Sequence, residues 1–391
     1  MSKMPNTGPP FHAEHIGSLL RPADLTRNFR KHRAGEISDD DFRAIQDSAI
    51  RDVVRMQESA GLEVVTDGEF RRASYWAHWV ESISGLDVAP ALFKFHDENG
   101  NEQEFLAADC TGKLEKKGPI STEEFRFLAG ATDKAIKITM PSPSTLHFWR
   151  LAQTVAGSGY ASDEDYMTDL CAIYRQEIAE LAELGCTYVQ FDEVPLIMLA
   201  NVDICNLVQD LQSDPQRLIK LYVDAINRIV KERPENMVFG LHICRGNFKG
   251  KWLTEGGYGA MAEQVFKQVK VDVFCLEFDT DRAGGFAPLQ HVPDGKKVVL
   301  GLVSSKVPNL EDPDVLKNRI EAAAAYVPLE NLGISPQCGF ASTVAGNPVT
   351  LEAETSKLQL VVNVASEVWR NDLGPARIAP MPLLKYFQRD T

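Results

Sequence analysis

Residues 163–193, DEDYMTDLCAIYRQEIAELAELGCTYVQFDE, hold the unit from which the rest of the chain is read. Met167, Leu170, Ile173, Tyr174, Ile178 and Leu181 recur every three or four positions, the spacing of one helix face, and Gly185 stops the pattern. The run that follows is short, apolar and aromatic, and it ends in Asp192-Glu193. A helix leading into a buried strand that finishes in acids is half of a β/α repeat. Working outward, strands are predicted over 15–20, 63–70, 135–140, 187–192, 237–244, 271–279, 297–304 and 332–338. Ser38 is placed to cap a helix that Gly61 ends, Asp214-Pro215 and Asp312-Pro313 open two more, and 350–369 reads as the last. Eight strands alternating with helices predict an α/β chain folded as a single (β/α)8 TIM barrel over 11–391, with 1–10 flexible. An open doubly wound sheet would need a glycine-rich turn after its first strand, and none follows. Residues 91–130 break the rhythm. There FKFHDENGNEQEF, with Asn99-Gly100 at its turn, predicts a β-hairpin insertion.

The 391 residues carry a formal charge of −14, which excludes the basic field that nucleic acid requires. No apolar run is long enough to span a membrane, and the N-terminus lacks a secretory pattern. The seven cysteines are odd in number and unpaired in spacing. A reducing, cytoplasmic setting is therefore expected, with most thiols packed in the core and one or two left for other duties. Assembly into a homo-oligomer stays open.

The predicted strands end in polar groups: Asp67 and Glu69, Asp192, His242 and Cys244, Glu277, Lys306, Cys338. In a barrel, active sites form at that edge from several strands at once. His242 and Cys244 are two apart, so both point to the same side of a strand, as two ligands of one tetrahedral ion would. Glu277 and Cys338 end two later strands and complete a His, Cys, Glu, Cys set for zinc. Against this stands the ordinary reading, in which an H-x-C pair arises by chance and buried cysteines are packing.

The segments HIGSLLRP, VTDGEFRR, QFDEVPL, HICRGNF, DRAG and SPQCGFAS resemble the catalytic domain of cobalamin-independent methionine synthases. The likeness runs from about Phe11 to Trp369 and is greater to the short single-barrel branch, which lacks the additional N-terminal barrel. It implies zinc held by His242, Cys244, Glu277 and Cys338, and a homocysteine-contacting element at Ile16, Gly17 and Ser18. It implies substrate-orienting acids at Glu69 and Asp192, and a folate-flanking tryptophan at Trp149. Two positions depart from the family. Met198 stands where the synthases have a glutamate, and Lys306 stands where they have the histidine proposed as proton donor.

The expected activity is a zinc-dependent methyl- or alkyltransferase acting on a small-molecule thiol, with homocysteine and a methylated folate as the default pair. Free thiols ionise near pH 8.5, whereas a zinc-bound thiol is a thiolate at neutral pH. Lys306 is a candidate acid, Arg245 a candidate partner for a substrate carboxylate or sulfonate, and Tyr75, Trp76 and Trp79 candidate aromatic walls. His12, His15, His78 and His147 read as structural. Lys113, Lys116 and Lys117 are the nearest thing to a cluster for a polyglutamate tail. The alternatives are the same zinc chemistry with another thiol, as in epoxyalkane:coenzyme M transferases or a C–S lyase, and a barrel whose zinc is purely structural.

Overall fold

The computed structural model describes residues 11–97 and 99–369, so the expectation for 1–10 falls outside the described residues. Six strands form one parallel sheet in the order β12-β11-β10-β9-β8-β7. They are β7 (Ile138–Pro141), β8 (Tyr188–Glu193), β9 (Val238–Ile243), β10 (Val273–Glu277), β11 (Lys297–Val303) and β12 (Leu332–Pro336). Each follows its predecessor through helical connections, and their residues are almost all buried, as a parallel sheet covered on both faces requires. A separate parallel pair joins β1 (Val64–Val65) to β6 (Ala135–Ile136), and Lys137 then links β6 to β7.

The first two predicted strands differ from expectation. Residues 15–20 form no strand; among the described residues the N-terminal segment has one ladder pairing with the sheet, the parallel bridge of Ala13 with Ile334. Of 63–70 only Val64 and Val65 are strand. Gly17 has φ 145° and Gly68 φ 68°, so the backbone leaves the ladder at both places. A side chain at Gly17 would also collide with Thr139, 2.6 Å from its Cβ position.

The helices follow the cap signals. Ser38 Oγ accepts from the Asp41 amide to start Asp39–Ser59. Asp214 and Asp312 cap Pro215–Val230 and Pro313–Ala324 in the same way. Asp163–Glu183 buries the face read from the sequence, and Gly185 follows in the left-handed region. Among the described residues no helix is long and apolar enough to cross a membrane.

The hairpin is present, with β3 (Phe95–His96) paired to β4 (Glu102–Gln103), but it is the tip of a longer excursion. An antiparallel ribbon of β2 (Ile83–Pro90) and β5 (Leu106–Lys116) forms its stem, so the insertion begins at 83 rather than 91. Gly85, at φ 84°, lies where the register shifts. The return path closes with helix Thr122–Ala129.

Helix Leu351–Val368 is tied back to the N-terminal segment by Glu354, whose carboxylate accepts from the Leu20 amide at 2.8 Å. Burial pushes this carboxyl up to about 8, the hydrogen bond only partly opposing it. An acid whose folded pKa exceeds its unfolded value stabilises the fold when protonated, and that stability is lost as pH rises from about 4.5 to 8. Thermal melts of a Glu354→Gln variant should therefore decline less between pH 5 and pH 9 than those of the native chain. Equal slopes would mean that Glu354 does not titrate in that window.

Candidate functional site

The parallel register brings the strand ends level. In the β9–β10 pairing, His242 faces Cys275 and Ile243 faces Leu276, so Glu277 arrives beside Cys244. Alternation along each strand turns His242, Cys244, Cys275 and Glu277 to one side. Cys338 lies two residues beyond the end of β12. Its Sγ is 3.8 Å from that of Cys244, and the two thiols with a His242 ring nitrogen all lie within 4.8 Å of one another.

All three side chains are buried, and all seven cysteines are free thiols. His242 Nδ1 meets the Cys275 carbonyl at 3.2 Å; because a carbonyl only accepts, Nδ1 carries the proton. Nε2 is buried and has no hydrogen-bond partner. The hydrogen bond from Cys338 and burial together push the Cys244 thiol well above its usual range. Burial lowers the His242 pKa, but the adjacent Cys244 sulfur outweighs it and the net shift is upward. A buried group of two thiols and an imidazole, with His242 Nε2 lacking a hydrogen-bond partner, fits a thiophilic metal. Two sulfurs each ~2.3 Å from a tetrahedral zinc lie about 3.8 Å apart, which is the observed separation.

Glu277 is not within that close set. Its Oε2 accepts from the Arg245 amide at 2.7 Å, while Oε1 has no hydrogen-bond partner and lies 3.6 Å from Lys306 Nζ. Burial would raise this carboxyl, yet Lys306 and Arg245 outweigh it and hold it below its ordinary value. The Arg245 guanidinium is fully buried and donates to the carbonyls of Gly256, Glu277 and Ala283. It supports Glu277 from behind and does not line the cavity. Neither Lys306 nor Met198 lines it either.

A cavity of about 540 Å³ opens above the His242, Cys244 and Cys338 group. It is bordered by Ile16, Ser18, Glu69, Trp149 and Asp192, five of the residues singled out in the sequence. Gly17 and Gly339 allow the close approach of their loops: a Cβ on Gly339 would fall 1.9 Å from Ser18 Oγ. Glu69 has φ 61°, a conformation costing a non-glycine residue on the order of 1 kcal/mol or more. Its Oε1 accepts from Thr139 at 2.8 Å, while Oε2 has no partner. Burial raises the Glu69 carboxyl despite the opposing Arg72. Burial likewise pushes Asp192 up to about 7, against the pull of His242. Gln190 holds Asp192 in place, giving a hydrogen bond of 2.8 Å to its Oδ1 and one of 2.6 Å to the Ile16 carbonyl.

The sequence reading missed one whole wall. Val88, Phe95, Phe105 and Leu106 of the excursion line the cavity, joined by Asn247 and Phe248 of the loop after β9. Aromatics flanking an otherwise polar hairpin were the available signal. Tyr75 and Trp76 line the cavity as expected, whereas Trp79 is core, stacked on Tyr174 at 3.9 Å. Lys116 is taken up by Glu177 and Glu180, away from the cavity. Among the histidines, His12 stacks on Trp369 and His147 meets Tyr222 and Asp163. Burial depresses the His15 pKa to about 3 and that of His78 well below its usual value.

A family model described as the cobalamin-independent synthase catalytic domain matches residues 11–367. The uncharacterized protein YxjH of Bacillus subtilis (strain 168) is 36% identical over 365 residues, covering 92% of this chain and 95% of its own. The methionine synthase of Pyrococcus abyssi (strain GE5 / Orsay) is 29% identical over 330 residues, covering 83% and 85%. Among solved structures, a candidate vitamin-B12-independent methionine synthase from Listeria monocytogenes aligns with a TM-score of 0.71 at 30% identity, covering 92% of this chain and 98% of its own. A B12-independent methionine synthase from Shewanella sp. W3-18-1, solved with selenomethionine, gives 0.70 at 19% identity over 92% and 98%, a likeness of fold. On the match to residues 11–367, the chain belongs to the cobalamin-independent synthase catalytic-domain family.

Proposed function

We propose that this chain is a zinc-dependent methyltransferase that alkylates a small amino thiol, with homocysteine as acceptor and a methylated folate as donor. The observation that carries the reading is the buried trio of His242, Cys244 and Cys338 at the base of an open cavity. In this proposal the chain is a single eight-unit barrel, working in a reducing cytoplasm that keeps its thiols free.

His242, Cys244 and Cys338 would hold the ion, with Glu277 in line to complete the set through its unpartnered Oε1. When bound, zinc would supply acidity, so that a thiol coordinated to it is a thiolate at neutral pH. A structural zinc site is closed by four firm protein ligands. Here three candidate ligands border a cavity and Glu277 stands outside their close group, which supports a position that substrate can take in place of a fourth firm ligand.

The chain's own residues account for the rest. Apart from His242, the Tyr75 phenol and the exposed Arg33, the ionisable groups bordering the cavity are carboxyls and thiols: Glu69, Glu104, Asp192, Cys244 and Cys338. Carboxylates at Glu69 and Asp192 suit an ammonium and disfavour a sulfonate, which supports an amino thiol over a coenzyme M-type acceptor. The carbonyls and amides of the 16–18 loop would orient the same molecule. Tyr75, Trp76, Phe95, Phe105 and Trp149 offer an apolar slot for a flat donor. As the acceptor sulfur bonds to the methyl carbon, the carbon–nitrogen bond of the donor breaks, and its electron pair stays on a nitrogen that takes up a proton. Lys306 acts here by neutralising Glu277, with its Nζ 3.6 Å from Oε1.

Zinc X-ray absorption on the purified protein, with and without small thiols, tests the reading. Homocysteine should add one sulfur to the shell and coenzyme M should not; an unchanged shell with every thiol would sink the proposal. Cys338→Ser should lose zinc and at least 100-fold in turnover together, and a zinc-replete, active variant would remove Cys338 from the site. Lys306→Ala should retain zinc but turn over about tenfold more slowly; native rates would leave Lys306 without a part in the reaction.

A further inference from the structure

Arg21 sits between two cavity-lining loops, and neither the reaction above nor the metal group uses it. Its side chain is buried at 7% exposure. Nη2 donates to the carbonyls of Glu69 at 2.7 Å and Arg72 at 2.8 Å. Nη1 donates to the carbonyls of Ala341 at 3.2 Å and Thr343 at 3.0 Å. One guanidinium thus holds two carbonyls on each of two loops far apart in sequence. The same loops also pair directly: the Tyr75 amide donates to the Ser342 carbonyl at 3.0 Å, and Val344 to Ala73 at 3.1 Å. Both line the cavity, one through Glu69, Ser74, Tyr75 and Trp76, the other through Ser342 and Thr343.

We infer that Arg21 is the positioning residue that aims Glu69 into the cavity and locks the 69–76 loop to the 341–344 loop around the amino end of the acceptor; this rests on the function proposed above. Glu69 occupies a left-handed conformation that its side chain disfavours, so something must hold its peptide. Its carbonyl is gripped by Arg21 and by the Arg72 amide at 3.0 Å, which fixes the backbone from which the carboxylate projects. The carboxylate is steadied separately, by the Thr139 hydroxyl. Only a planar fork of five donors satisfies four carbonyls in this way, and a lysine ammonium offers three donors at one point. Arg21 makes no ion pair within 4.0 Å of a described acid, so its charge serves the carbonyls and the field around Glu69 rather than a salt bridge. None of His242, Cys244 and Cys338 is among the groups that Arg21 bonds, the nearest in sequence being Ala341, three residues after Cys338.

The consequence is a selective defect. An Arg21→Lys variant should keep native zinc content, raise KM for the amino thiol at least tenfold, and change kcat by less than threefold. A thiol lacking the amino group should bind the variant and the native protein equally. A role confined to stability would lower Tm and leave KM alone, and that result would overturn the inference. Should the variant fail to fold, hydrogen exchange on the native, zinc-loaded protein decides. Amides of 69–76 and 341–344 should slow together when homocysteine is added, and slowing in one loop only would overturn the coupling. If the native protein takes no thiol onto its zinc, the proposed function fails and this inference falls with it. If the native protein takes homocysteine and Arg21→Lys has an unchanged KM, the inference alone fails.

Discussion

The site depends first on the register of neighbouring parallel strands. Parallel ladders cannot slip by one residue without turning every side chain to the opposite face. With His242 held opposite Cys275 and Asp192 opposite His242, the polar ends of β8, β9 and β10 arrive on one level. No local signal within HIC, EFD or FDE specifies that level. It comes from long apolar strands buried on both faces, whose Val, Leu, Ile and Phe side chains leave one acceptable alignment. Chemistry at the edge is a product of packing in the middle.

A second constraint shapes the rim. Burying polar groups costs free energy unless they are bonded, and the loops here carry many such groups into the interior. Arg72 answers for Glu124 and Thr139, Gln57 for both the amide and the carbonyl of Thr66, and Glu354 for the Leu20 amide. Arg21 answers for four carbonyls at once. The loops are therefore rigid parts of the core rather than surface connections, which allows Glu69 to be kept in a strained backbone conformation. Three of the buried polar atoms that lack protein partners, His242 Nε2, Glu277 Oε1 and Glu69 Oε2, belong to the candidate metal group and its cavity.

Much of this could be read from the residues, and the exceptions have physical causes. Six strands, the long helices and their caps follow from periodicity and from Ser38, Asp214 and Asp312, because such signals are local. The first two strands were overextended because Gly17 and Gly68 look like ordinary strand-end glycines, and only three-dimensional packing shows that both turn the chain early. The ribbon around the Asn99-Gly100 turn was seen only at its tip, since its stem pairs residues 83–90 with 106–116 across a gap no short-range pattern reveals. The metal trio was approached through the spacing of His242 and Cys244, whereas the nearness of Cys338 depends on contact across 94 residues.

The two departures from the family pattern take on a different meaning once they are placed. Met198 is wholly buried, so the missing glutamate leaves an apolar packing position rather than an empty binding contact. Lys306 does not line the cavity, and its Nζ lies 3.6 Å from Glu277 Oε1. A cation at that position instead stabilises the ionised carboxylate that the deep interior would otherwise protonate. In the proposed reaction, change at 306 would bear on how firmly Glu277 is held as a potential ligand, while the choice of acceptor would rest with Glu69 and Asp192. On that proposal, tuning of the metal and recognition of the thiol would be carried by separate residues, so one could vary without dismantling the other.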